Sequence, residues 1–68
     1  MAPEATVQLG ELLERQGNAD GAEAAYRQAI ESGHADVAPM AIRNLGMLLQ
    51  EQGDTEGAKA AYTQGIDS

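Results

Sequence analysis

Apolar residues recur along this chain at intervals of three and four: Leu9, Leu12 and Leu13 within residues 3–16, then Ala22, Ala25, Tyr26, Ala29 and Ile30 within 19–32. That spacing gathers each set on one face of an α-helix. The pattern then starts again. Leu45, Leu48 and Leu49 predict a third helix beginning between Asp36 and Pro39, and Ala58, Ala61, Tyr62 and Ile66 a fourth over 55–67. Pro3 and Pro39 suit a first helical turn, where a missing N–H is not needed. Gly17, Gly33 and Gly53 follow the last periodic residues and read as helix stops. Asn18 is placed to cap the second helix, with Asp20 favourable to its N-terminus, and Asp36 is a candidate cap for the third.

The second half of the pattern repeats the first at a constant offset of 36 residues. Residues 3–32 laid over 39–68 give sixteen identities in thirty positions. An internal repeat of this kind decides the architecture before any single motif does. The chain reads as one domain, 1–68, with repeat one at 3–38 and repeat two at 39–68, a piece of a longer array cut at repeat boundaries. One copy alone is too small to bury a stable core, so neighbouring copies must support each other. Gly10 and Gly46 sit inside helices, where glycine costs about 1 kcal/mol relative to alanine. Their recurrence predicts a close approach, with Tyr26 and Tyr62 as the groups admitted.

The residues that repeat resemble the tetratricopeptide family, whose unit is a helix–turn–helix with Leu-Gly in its first helix and Ala followed four residues later by an aromatic in its second. Here those positions read Leu9-Gly10 with Ala22-x-x-x-Tyr26, and Leu45-Gly46 with Ala58-x-x-x-Tyr62. Both copies lack the first-helix aromatics and run 36 residues rather than 34. The linker Gly33-His34-Ala35-Asp36-Val37 looks like that of the related Sel-like repeats. The resemblance implies an all-α solenoid of two units and four antiparallel helices, a protein–protein interaction role and no cofactor.

Composition narrows the partners. Four Lys and Arg against eleven Asp and Glu give a net charge of −7, spread over both halves. An evenly acidic surface disfavours nucleic acid and anionic membranes, which depend on clustered cations. No apolar run is long enough for a signal peptide core or a membrane span, which favours a cytoplasmic setting. The absence of cysteine excludes disulfides and thiolate metal sites.

Catalytic chemistry finds little support. His34 is the lone histidine, with no co-ligand at metal-binding spacing, so it reads as a linker residue and no metal is expected. Glu11, Glu14 and Arg15 share a helix face, as solvated residues commonly do. A hydrolase or a metalloprotein would need a cleft with converging titratable groups, so the chain is read as no enzyme.

In tetratricopeptide arrays the first helix of each unit lines the concave face. The resemblance therefore assigns that face Glu4, Val7, Gln8, Glu11 and Glu14 from copy one, and Met40, Arg43, Asn44, Met47 and Gln50 from copy two. Ordinary solvated positions would carry mixed polar residues too. Family members that capture C-terminal carboxylates use a clamp of Lys and Asn. Asn44 falls on one clamp position, but Val7 and Glu11 stand where Lys and Asn would be. The expected partner is therefore a neutral or basic peptide or protein, with Met40 and Met47 as adaptable apolar contacts. Ala5 and Leu12 at one end, and Ala61 and Ile66 at the other, would lack a neighbouring unit, so a homo-oligomer formed through repeat ends or helix exchange is expected. The alternative reading is a self-assembling structural repeat, natural or engineered, with no external ligand.

Overall fold

The computed structural model describes residues 3–67, and side chains over 4–64. Four helices follow in order: α1 (Pro3–Arg15), α2 (Ala19–Glu31), α3 (Ala38–Glu51) and α4 (Thr55–Asp67). Among the described residues there is no strand. The helices fall within one or two residues of the bounds that the apolar spacing predicts, as expected for amphipathic segments closed by glycine.

Both tight turns are built alike. Gly17 and Gly53 take φ values of 80° and 81°, a left-handed conformation that costs glycine little. The chain then folds back over its own helix end: Gly17 N–H donates to the Glu14 carbonyl at 3.0 Å and Asn18 N–H to that of Leu13 at 2.9 Å. The second turn repeats this, with Gly53 N–H donating to Gln50 and Asp54 N–H to Leu49, at 3.0 and 2.9 Å. This is the double closure that satisfies orphan carbonyls at a helix C-terminus. The residue after each glycine also opens the next helix. Asn18 Oδ1 accepts from Gly21 N–H at 3.0 Å, and Asp54 Oδ1 from Gly57 N–H at 2.9 Å. One residue thus ends one helix through its backbone N–H and starts another through its side chain, which holds each hairpin antiparallel over three residues.

The junction between hairpins is looser. Gly33 is again left-handed, at φ 73°, but the Ala29 carbonyl accepts from the Ser32 hydroxyl, at 2.5 Å, and the chain runs on. Residues 34–38 form their own turn, in which the His34 carbonyl accepts from Val37 N–H at 3.1 Å and Ala38 N–H at 2.9 Å. Asp36 does not cap α3. The N-cap position belongs to Val37, which has no side-chain capping bond, and Asp36 is exposed. The turn's own carbonyl already serves the first N–H groups, so no carboxylate is required. Pro39 lies in the first turn of α3, where its ring is tolerated.

The packing pairs are α1 with α2, α2 with α3, and α3 with α4. The Cα trace spans 31 × 30 × 12 Å, a slab in which a helix is covered laterally only where another lies beside it. One core runs through both hairpins, from Val7, Ala22, Tyr26 and Ala29 through Val37 to Ala41, Leu45, Leu48, Leu49, Ala58 and Ala61. Tyr26 and Leu45 are at most 1% exposed, and both sit at the α2/α3 centre of this core. Gly10 and Gly46 are buried. A Cβ added to Gly10 would lie 2.6 Å from Tyr26 Cε1, and one added to Gly46 2.5 Å from Tyr62 Cε1. The glycines admit the tyrosine rings, as the repeat predicts.

Equivalent leucines differ in burial. Leu45 and Leu48 are 1% and 3% exposed, whereas Leu9 and Leu12 are 40% and 48% exposed. α2 covers the former pair, and no helix lies on the corresponding side of α1.

Candidate interaction surface

α1 and α3 both pack on α2 but make no principal packing pair with each other, so a furrow runs between them. At one end an open depression of about 390 Å³ is lined by Glu11, Glu14, Arg15, Tyr26, Asn44, Met47 and Glu51. Toward the other end lies a second, of about 250 Å³, where Glu4, Val7, Gln8, Glu11, Asp36, Val37 and Met40 meet. Glu11 borders both, which makes the furrow continuous.

The floor is set by the buried Tyr26 ring, whose hydroxyl donates to Glu14 Oε1 at 2.9 Å. Burial chiefly, then that hydrogen bond, then the charges of Glu14, Glu11 and Glu51 push the phenol well above its ordinary pKa. Tyr26 therefore stays a neutral donor throughout the physiological range, and Glu14 is held against it. Met40 and Met47, 40% and 49% exposed, supply unbranched apolar contact on the α3 side. Glu4, Glu11, Glu14, Asp36 and Glu51 surround the furrow against Arg15 alone, so its potential is negative.

Of the residues assigned to this face from sequence, Glu11, Glu14, Asn44 and Met47 come together in the larger depression, and Glu4, Gln8 and Met40 in the smaller. Three do not behave as assigned. Val7 lies at the edge of the smaller depression but is 1% exposed and belongs to the core cluster that linker residue Val37 also joins, so it offers a partner almost no surface. Arg43 is exposed but borders neither depression. Gln50 lies on the outer side, with Thr55, Ala58, Lys59, Tyr62 and Thr63 around a shallow depression of about 260 Å³. Sequence reasoning also missed Asp36, Arg15 and Glu51 as furrow residues. The last two are separated by 36 positions, the repeat offset, which is the signal that could have paired them.

The end residues divide likewise. Leu12 is exposed and Ala5 half-buried. Ala61 is not at a free surface: it is 5% exposed and packed in the core cluster, on a helix whose principal packing partner is α3. The side chain of Ile66 lies outside the described residues. Among those described, no group of His, Asp and Glu could hold a metal ion, and no helix is long and apolar enough to cross a membrane. His34 is exposed in the linker.

Two stacked helical hairpins that share one core and leave a furrow between their first helices define an α-helical repeat protein. The tetratricopeptide repeat profile matches residues 3–32 and 44–68, most of both hairpins, and the chain belongs to that family. Repeats of this family generally bind proteins or peptides and generally carry no catalysis. The match leaves 33–43 outside it, the segment that holds the linker and the start of α3. No curated protein and no solved structure matches the chain.

Proposed function

We propose that this chain is a non-enzymatic protein-interaction module that seats a neutral or basic peptide segment of a partner protein in the α1/α3 furrow. The observation that carries the reading is the ring of carboxylates around a furrow with a fixed phenol on its floor and two exposed methionines on its wall. Such a surface attracts Lys and Arg side chains, repels carboxylates and phosphates, and adapts to apolar side chains through methionine. Nucleic acid and anionic membrane are poor partners for the same reason. Glu11 stands between the two depressions, so a segment lying along the furrow passes it wherever its own charge falls.

The test is binding of labelled peptides of matched length that differ in charge, measured by fluorescence anisotropy at low and high salt. Basic and neutral peptides bind better than acidic ones, the basic preference weakens as salt screens it, and the E11Q/E51Q variant loses part of it. Preferred binding of acidic peptides, or a preference insensitive to both salt and E11Q/E51Q, refutes the assignment.

A further inference from the structure

Beyond that reading, we propose that the chain assembles head to tail: the exposed face of α1 in one copy seats against the outer face of α4 in a second copy, reproducing the α2/α3 junction inside each chain. The two faces are the halves of one interface that the chain already makes. Inside, α3 presents Ala41, Leu45 and Leu48 to the core that holds Tyr26 of α2, and all four are at most 3% exposed. Their counterparts 36 residues away are Ala5, Leu9 and Leu12 on α1 and Tyr62 on α4. There Leu9 and Leu12 are 40% and 48% exposed, Tyr62 is 37% exposed, and Ala5 is half-buried. Same residue types at the same register, covered at one junction and open at the other, make the two open faces complementary.

Charge agrees with this pairing independently of the apolar residues. Arg15 and Glu51 occupy equivalent positions in the two hairpins and line the same internal depression. When a second copy docks, Glu51 of the first takes the place that Arg15 holds internally, and Arg15 of the second takes the place of Glu51. The order is inverted, and the charges on the two sides of the depression remain opposite in sign, without the ion-pair contact that is also absent between them inside the chain. Across the same junction Gln50 stands where Glu14 does, beside Tyr62, so the counterpart of the Arg15–Glu51 depression carries one carboxylate fewer than the internal one. A heterologous contact of this kind repeats from copy to copy rather than pairing two copies off, and the furrow lengthens with each copy.

Sedimentation equilibrium from micromolar to millimolar concentration tests it. The mean mass is expected to rise from the 7.1 kDa of one chain past that of two copies without a plateau. L12K, at an exposed position, keeps the helical circular dichroism signal and weakens association by roughly tenfold or more. R15E and E51R each associate more weakly than the unmodified chain, and an equimolar mixture of the two recovers association, because each then meets an opposite charge on the other. A mass fixed at one chain at millimolar concentration overturns the proposal, as does a plateau at two copies, which is the mark of helix exchange or a two-fold pairing. Association that survives L12K unchanged, or a mixture of R15E and E51R no tighter than either alone, overturns it equally. None of these readouts involves a peptide ligand, so the furrow assignment stands or falls separately.

Discussion

The same substitution at Gly10 and at Gly46 should have different consequences. At an unencumbered helical site, Gly→Ala stabilises by about 1 kcal/mol. At Gly10 the new methyl would meet three atoms of the Tyr26 ring at 2.6, 2.8 and 3.1 Å, and at Gly46 it would meet Tyr62 at 2.5, 2.5 and 2.9 Å. Carbon atoms in contact sit about 3.5–4.0 Å apart, so either ring must retreat by about 1 Å. Tyr26 cannot do so cheaply: it is fully buried, and its hydroxyl is tied to Glu14. Overpacking of such a site costs about 1–3 kcal/mol, and the tether places Gly10→Ala near the upper end, for a net loss of about 2 kcal/mol. Tyr62 is 37% exposed and has space on its outer side. Its ring can swing away, so for Gly46→Ala the propensity gain and the lost contact offset each other to within about 1 kcal/mol. In a domain of this size each kcal/mol moves Tm by about 4–8 °C. Thermal melts followed by circular dichroism, in dilute solution where copies are apart, resolve the two variants. A Gly10→Ala protein that melts above the unmodified chain, or a Gly46→Ala protein destabilised as much as Gly10→Ala, would refute the close-approach reasoning.

Three further outcomes can be checked with the same methods. Leu45→Ala, at a 1% exposed site, should cost about 2–5 kcal/mol in urea denaturation, and Leu9→Ala, at its 40% exposed counterpart, about 1 kcal/mol or less; equal losses would mean that α1 is covered after all. Removing either shared cap, as Asn18→Ala or Asp54→Ala, should cost about 1 kcal/mol, whereas Asn18→Asp, which keeps an acceptor oxygen, should cost a few tenths or less, so an Asn18→Asp loss as large as that of Asn18→Ala would contradict the capping bond. Folding raises the Tyr26 phenol above its ordinary value of 10.0, so the folded chain keeps a proton that the unfolded chain releases. That stabilisation is complete below pH 10 and declines as pH climbs beyond it; Tyr26→Phe should flatten the decline, and parallel alkaline curves for the two proteins would show that the phenol does not contribute.

Much of the fold was legible because local signals and the repeat agreed. Apolar spacing, of leucines in α1 and α3 and of Ala, Tyr and Ile in α2 and α4, gave the helices, Gly17 and Gly53 gave the stops, and Asn18 gave a cap that the geometry confirms at 3.0 Å. Gly10 and Gly46 announced a close approach because glycine inside a helix is costly unless something occupies the space. The linker was harder to read. Asp36 has the chemistry of a cap, but the His34 carbonyl meets the Ala38 N–H that opens α3, and Val37 turns into the core. Nothing near Val37 in sequence signals that it shares a core with Val7, thirty positions away. Val7 is drawn into that core and offers the furrow almost no surface, since a face assigned by aligning Leu-Gly carries no information about which neighbours a linker brings to it.

Burial at the ends was illegible for a different reason. Leu9 and Leu45 have the same neighbours in sequence, Leu-Gly followed two residues later by Leu-Leu, and the same place on their helices. One is core and the other is surface. No property of either segment distinguishes them, because burial in a slab of helices depends on whether another helix lies beside the one in question. Periodicity therefore predicts which face of a helix is fit to be covered, and stacking order decides whether it is. In a repeat the two faces of every junction are copied with each unit, so the faces that meet at the internal junction recur on α1 and α4, where no other helix of the described residues covers them. The exposed leucines of α1 and the half-open Tyr62 of α4 are consequences of duplicating one hairpin, and they follow from the same contacts that hold Tyr26 and Leu45 in place.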